Sequence, residues 1–97
     1  MPAYVIGRLT IEHRGWMDEY YAKVPALVEQ HGGRFLVRGG NPQPVEGDET
    51  MPDGVVVIEF PTRADAVAFW ESPEFAPLMR LRQTGARLQA LVVDGLA

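Results

Sequence analysis

The chain has 97 residues, of which 46% are hydrophobic and 23% charged, a composition typical of one globular domain over residues 1–97 with no room for a second core. Its net charge of −4 and its scattered Lys and Arg residues offer no basic face, so we expect no nucleic-acid partner. With no cysteine and only two histidines, the sequence predicts no disulfide, no thiol nucleophile, no metal site and no bound cofactor.

The first predicted elements are a strand and a helix. Residues 3–11 are mostly β-branched, aromatic or aliphatic and are followed by a turn-like segment, which indicates a strand. Apolar residues then recur at the spacing of one helix face: Trp16, Tyr20, Val24, Leu27, Val28 and His31. Gly32 is expected to end this helix in a left-handed conformation. Because Pro25 removes one backbone hydrogen bond inside the pattern, we expect a kinked helix rather than two helices.

The middle of the chain predicts two strands separated by a long loop. Arg34–Arg38 is a short strand, and the Pro-, Gly- and acid-rich stretch up to Gly54 is a loop that could carry a short strand over Gln43–Glu46. Val55–Phe60 is apolar except at Glu59, which is typical of a central strand covered on both faces. This apolar run is too short to cross a bilayer, so we expect no membrane partner and a cytoplasmic location.

Two short helices and a last strand complete the chain. Thr62 begins the first of these helices with a pattern like a capping box. Ser72 as N-cap with Pro73 at the first helical position predicts the second helix, which Gly85 ends. Residues 87–94 form the final predicted strand.

The order strand, helix, strand, strand, helix, strand predicts a ferredoxin-like α+β fold, βαββαβ, with a four-stranded antiparallel sheet. The helices then all lie on one face of the sheet, and the other face is left uncovered. Because its central strand is apolar on both sides, that uncovered face predicts an interface. We therefore expect a homodimer in which two copies pack through their sheet faces.

Several motifs also carry a family resemblance. They are the run at 31–40 (HGGRFLVRGG), the run at 57–61 (VIEFP), and the run at 72–75 (SPEF) with Leu78 and Arg82. Over nearly its whole length the chain resembles the domain of unknown function 1330 family, within the dimeric α+β barrel superfamily. The resemblance implies a homodimer of ferredoxin-like subunits with facing sheets. It implies no activity, since the superfamily includes cofactor-free monooxygenases, haem-using enzymes, isomerases and dehalogenating enzymes. Phe75 departs from the Tyr that the family commonly has, so no hydroxyl is available there.

Two titratable residues are the candidates for catalysis. His31 could act as a general base at the mouth of a cleft, although a side chain that hydrogen-bonds the end of a helix is the favoured interpretation. Glu59 needs a partner or a proton in its apolar strand, and Arg38, Arg8 and Arg87 are the candidate partners. A Glu–Arg pair could line a pocket between sheet and helices, or fix the register at the sheet end or dimer seam.

Two functional hypotheses follow from these residues. In the first, a homodimeric protein binds or converts a small, partly apolar molecule in a cleft between sheet and helices, without a tightly bound cofactor. Its ligand-binding residues would be Tyr20, His31, Arg38, Glu59 and Trp70. The alternative is a non-catalytic dimeric structural or interaction module, because the sequence has no strong catalytic motif and assigns no reaction. Aromatic residues such as Tyr20 and Trp70 could equally be plain core.

Overall fold

Seven elements make up residues 1–96, the part of the chain that the computed structural model describes. They are β1 (Ala3–Ile11), α1 (Met17–Gln30), β2 (Arg34–Gly39), β3 (Gly54–Phe60), α2 (Arg63–Trp70), α3 (Ala76–Gln83) and β4 (Ala86–Asp94). The strands form one antiparallel sheet in the order β2-β3-β1-β4. This arrangement confirms the predicted ferredoxin-like α+β fold. Within the described part, no helix has the length and apolar character needed to span a membrane.

The two faces of the sheet differ in burial because side chains alternate along each strand. On β1, the side chains at Ala3, Val5 and Leu9 are buried beneath the helices, and we call this side the helix face. Tyr4, Ile6 and the other alternate residues are half-buried or exposed, and we call their side the open face. No helix of residues 1–96 covers the open face, as the sequence predicted.

The first helix forms as the apolar spacing predicts. α1 runs without interruption through Pro25, and its buried residues are Tyr20, Val24 and Val28. Gly32 follows with a φ of +79°, the left-handed conformation expected of a residue that ends a helix. The helix therefore places one apolar stripe against the helix face of the sheet.

The loop between β2 and β3 contains no strand, so the predicted strand at Gln43–Glu46 was wrong. Pro42 and Pro44 lack the N–H groups that a strand ladder would use in this stretch, which explains the difference. The far end of the loop is attached to β1, since the backbone N–H of Asp53 donates to the carbonyl of Leu9 over 2.8 Å.

The start of the last helix also differs from the prediction. Regular helix begins at Ala76, not at Pro73. The hydroxyl of Ser72 accepts a hydrogen bond from the N–H of Phe75 at 3.3 Å and donates one to the carbonyl of Phe69 at 2.8 Å. Ser72 therefore makes the side-chain bond expected of an N-cap, within the turn that joins α2 to α3, and only the start of regular helix lies later than predicted.

Candidate functional site

A narrow cavity lies between the helices and the helix face of the sheet. Aliphatic side chains of the strands and aromatic side chains of the helices line it, and its polar side chains are Tyr20, Tyr21, Trp70 and Arg82. The space open to the centre of a water molecule is about 20 Å³. Gly7 on β1 contributes to this space, because a Cβ there would lie 2.9 Å from Cδ1 of Leu88. In this conformation the cavity is large enough for roughly one water molecule.

A larger groove adjoins the cavity along β4, which is an edge strand. Its volume is about 390 Å³, within the range of about 300–1,000 Å³ that is usual for small-molecule sites. Four residues line both spaces: Val5, Trp70, Arg82 and Leu88. These shared side chains separate the groove from the cavity, so movement of a few of them would join the two.

Arg82 is the most unusual residue of the cavity. Its side chain projects from α3 into the core and is 5% exposed. Nη1 donates a hydrogen bond of 3.1 Å to the hydroxyl of Tyr20, and the guanidinium carbon lies 5.8 Å from the ring centroids of both Tyr20 and Trp70. Nε is buried without a hydrogen-bond partner, and no carboxylate among residues 1–96 pairs with this guanidinium. The cavity thus contains an uncompensated positive charge.

Sequence reasoning did not select Arg82 as a site residue. It lies in α3 among Leu78, Met79 and Leu81, the apolar residues of that helix that pack on the core. A charged residue within an apolar stripe is the signal that could have identified it.

The two neighbouring tyrosines keep their protons at neutral pH. Burial raises the pKa of Tyr20, although the charge of Arg82 and its hydrogen bond oppose the shift. Burial also raises the pKa of Tyr21, and Tyr20 adds to this increase while Arg38 and Arg82 oppose it. The cavity therefore has two neutral hydroxyl groups beside one fixed cation.

Arg38 lies over the ring of Tyr21, with its guanidinium carbon 4.7 Å from the ring centroid. It is exposed, and it lies beside the cavity rather than among the side chains that line it. A β-bulge between Phe35 and Val37 sets this position, because the extra residue turns Arg38 toward the helix face opposite Val56.

Glu59 lies on the open face, away from the cavity and from Arg38. One carboxylate oxygen accepts a hydrogen bond of 2.9 Å from Nε of Arg34, and the other accepts one of 3.1 Å from the hydroxyl of Tyr4. This bond to Glu59 is the main cause that raises the pKa of Tyr4. Of the two alternatives left open for Glu59, a pair in a pocket does not form, and the pair within the sheet is made with Arg34, which was not among the candidate partners. The register explains it, since Arg34 is the residue opposite Glu59 on the neighbouring strand.

The other two arginines proposed as partners of Glu59 also have different partners. Arg8 pairs with Glu49 at 3.4 Å, and Arg87 pairs with Glu12 at 3.6 Å. Both are exposed pairs, so each contributes little to stability.

His31 is the C-cap residue of α1. Its Nδ1 is 3.0 Å from the carbonyl oxygen of Leu27, and its ring meets Phe69 edge-on with a centroid distance of 5.8 Å. It does not line the cavity. Of the five predicted ligand-binding residues, the structure brings Tyr20 and Trp70 together around Arg82 and places His31, Arg38 and Glu59 outside that group. The described chain has no group of three or more His, Asp or Glu side chains placed to hold a metal ion.

Comparisons with known proteins agree on the fold. The model of DUF1330, a domain of unknown function, matches residues 2–96. No curated protein matches the chain. RPA0582, a protein of unknown function from Rhodopseudomonas palustris, is a similar solved structure, with a TM-score of 0.79 and 15% identity over 99% of this chain and 83% of its own.

Two further structures share this architecture. SnoaB, a cofactor-independent oxygenase from Streptomyces nogalater, superimposes with a TM-score of 0.64 and 13% identity over 99% of this chain and 94% of its own. An antibiotic biosynthesis monooxygenase superimposes with a TM-score of 0.59 and 16% identity over the whole of both chains. At these identities the likeness establishes the fold alone.

Proposed function

The chain belongs to the DUF1330 family, and from this premise we propose that it binds or converts a small, partly apolar molecule between its sheet and helices without a tightly bound cofactor. One observation carries the proposal: an apolar cavity that contains the polar cluster of Tyr20, Trp70 and Arg82 and adjoins an open groove. Concave apolar sites with a few convergent polar groups are typical of small-molecule binding.

The free-energy cost of burying Arg82 and its polar neighbours supports this proposal. A domain of this size has little stability to spare, and burial of a cation in an apolar core lowers it. An all-apolar cluster would pack the same space at a lower cost. A ligand that pairs with these groups gives a reason for their presence. SnoaB, which has the same fold, is named as a cofactor-independent oxygenase, so this architecture supports small-molecule chemistry in at least that protein.

The proposal gives each predicted site residue a role. Tyr20 and Trp70 contact the ligand, and Arg38 holds the ring of Tyr21 beside the cavity through a cation–π contact. His31 hydrogen-bonds the end of α1, and Glu59 belongs to the open face, so neither is proposed to touch the ligand.

The proposal can be tested by mass spectrometry and NMR. Native mass spectrometry of the protein as purified should detect a retained small molecule, and a fragment screen on ¹⁵N-labelled protein should shift the amide signals of residues that line the cavity. Amides of exposed loop residues such as Val45 serve as the internal control and should stay unshifted. Fragments that shift only signals of residues far from the cavity, or no retained molecule together with no fragment binding, would contradict the proposal.

We also propose that a second copy of the chain covers the open face. Val37, Val57, Ile6 and Leu91 lie opposite one another on adjacent strands and form an apolar row across the whole sheet. Leu91 is 49% exposed in the single chain. Each Å² of apolar surface removed from water contributes about 25 cal/mol, so an open face of a few hundred Å² favours association.

Sedimentation velocity at micromolar concentration tests the dimer directly. We expect a species of twice the 10.8 kDa mass of one chain. A single 10.8 kDa species at this concentration would contradict the proposed dimer. A dimer that binds no small molecule would instead favour the alternative function, a non-catalytic dimeric interaction module.

A further inference from the structure

The hydrogen bonding of Arg82 leaves one edge of its guanidinium unused. Nη1 donates to the hydroxyl of Tyr20, whereas Nε is buried and donates to nothing in the described chain. In an arginine, Nε–H and one N–H of Nη2 point the same way and form a side edge with two parallel donors. Nη2 also makes no hydrogen bond to any of residues 1–96. The available edge therefore has two donors and one positive charge.

The two oxygens of a carboxylate match such an edge, because both groups are planar and their hydrogen bonds run in parallel. We propose that the ligand of this cavity is a carboxylic acid whose carboxylate binds the Nε–Nη2 edge of Arg82. This inference rests on the proposed function, since it names the chemical class of the ligand of the same site.

The surroundings of Arg82 favour a single negative charge. The other polar groups that line the cavity are the Tyr20 and Tyr21 hydroxyls and the Trp70 indole, and all are neutral. A carboxylate neutralises the one cation, whereas a phosphate dianion would leave a buried charge without a partner. The hydroxyl of Tyr20 accepts from Arg82 and makes no other hydrogen bond among the described residues, so its own proton can be donated to a carboxylate oxygen.

The rest of the ligand extends into the groove, whose lining is mostly apolar apart from Arg82, Gln83 and Gln89. The cavity has space for about one water molecule, while the adjoining groove measures about 390 Å³. Trp70 and Leu88 line both spaces, and Met79 and Val92 add apolar surface to the groove. Arg82 already lines the groove, and a shift of the Leu88 or Trp70 side chain would join the groove to the cavity. The inferred ligand is therefore a carboxylic acid with an aryl or alkyl tail.

An NMR titration with matched probes tests this inference on the wild-type protein. The probes are phenylacetate and octanoate, their primary amides, and phenyl phosphate. We expect each carboxylate to bind at least about tenfold more tightly than its amide, because the amide has no charge and only one acceptor oxygen. The ¹H–¹⁵N signal of Arg82 Nε–H should move downfield with the carboxylates only, since this group gains a charged acceptor.

Two arginine variants on the same helix provide a test and its control. Arg82→Lys keeps the charge but lacks the paired donors, so it should lose the Nε–H signal and most of the preference for acid over amide. Arg80→Lys changes an exposed arginine of α3 and should leave the preference unchanged.

The outcomes separate this inference from the proposed function. Equal affinities for acid and amide, with shifts at cavity residues, would be consistent with the proposed function but would contradict the inference that the ligand is a carboxylic acid. Tighter binding of phenyl phosphate than of either carboxylate would also overturn it. Failure of every probe to bind would contradict the inference, whereas the proposed function would fall only if the fragment screen and native mass spectrometry were negative as well.

Discussion

A single residue, Arg82, links the stability of this protein to its proposed function. Its guanidinium is buried with one hydrogen bond, to Tyr20, and with no counter-ion among residues 1–96. Stacking near the rings of Tyr20 and Trp70 recovers part of the cost of this burial. A residue kept for binding should therefore be replaceable, together with its hydrogen-bond partner, without loss of stability, whereas a residue kept for folding should not.

We predict that the double variant Tyr20→Phe with Arg82→Met has a free energy of unfolding no more than about 1 kcal/mol below that of the wild type. Both polar partners are removed together, and the methionine keeps part of the apolar stem of the arginine. Arg82→Met alone leaves the Tyr20 hydroxyl without its donor and should cost about 1–3 kcal/mol. Urea denaturation followed by tryptophan fluorescence measures all three proteins. A loss of more than about 3 kcal/mol in the double variant would assign Arg82 a structural role.

Gly7 is a second residue whose size affects the cavity. We predict that Gly7→Ala changes the free energy of unfolding by less than about 1 kcal/mol, since the one close contact of the new Cβ is with the flexible end of Leu88, 2.9 Å away, and its contact with Cβ of Val56 is an ordinary 3.8 Å. The same methyl group reduces the free volume, so binding of phenylacetate should weaken at least about fivefold. NMR titration measures the affinity.

Gly15→Ala is the matched control for this substitution. A Cβ at Gly15 would lie 3.5 Å from His13, an ordinary contact outside the cavity, so the affinity should stay at the wild-type value. If Gly7→Ala binds phenylacetate as tightly as wild type does, the ligand does not lie above this part of β1.

At the scale of elements, the sequence predicted what depends on local periodicity. The apolar stripe of α1 and the run of β3, which is apolar except at Glu59, follow from spacing alone, and both elements form where they were expected. The placement of Glu59 stayed open, and its partner Arg34 was not identified, for a non-local reason. Which face it occupies, and which arginine lies opposite, depend on the pairing of β2 with β3 and on the bulge after Phe35. Neither property is encoded within one strand.

Prediction of the candidate site from the sequence was limited in the same way. Tyr20 and Trp70 were predicted as ligand-binding residues because they are aromatic and helix-borne, and both line the cavity. Arg82 was missed because its significance depends on burial without a partner, which only the packing of α3 against α1 and β4 reveals. The turn at Ser72 moved the start of α3 by several residues, so a helix boundary drawn from caps alone was too early.

Pro25 allows the stability of one element to be tested. Inside α1 it lacks the N–H that would bond to the carbonyl of Tyr21, so Pro25→Ala should restore this bond and raise the free energy of unfolding by about 1–3 kcal/mol. The more flexible unfolded chain of the variant offsets part of the gain. Urea denaturation of the variant and the wild type provides the comparison.

Pro77 is the control for Pro25, because it occupies the first turn of α3, where the N–H has no partner within the helix. Pro77→Ala should therefore not raise the stability. If both variants change the stability equally, the missing hydrogen bond at Pro25 is not the cause of the effect.

At the scale of the whole molecule, the sheet separates two surfaces with different proposed functions, ligand binding on one and dimerisation on the other. The helix face carries the cavity with Arg82, and the open face carries the apolar row of Ile6, Val57 and their neighbours. Because side chains alternate along β1 and β3, a substitution on one face can leave the other face unchanged. Association and ligand binding can therefore be tested by separate substitutions, provided that Leu91 is left unchanged, because it lies on the open face and also lines the groove.

We predict that Ile6→Lys raises the dissociation constant of the dimer at least about tenfold, because it places a charge from each copy within the proposed apolar interface. The lysine can extend into water in the separate chain, so the fold and the binding of phenylacetate should persist. Sedimentation velocity over a concentration series measures the first effect and NMR titration the second. Val45→Lys, at a loop position that is 93% exposed, adds the same charge elsewhere and should dimerise as wild type does. If Ile6→Lys dimerises as tightly as Val45→Lys, the two copies do not meet through the open face, and the apolar row there needs another explanation.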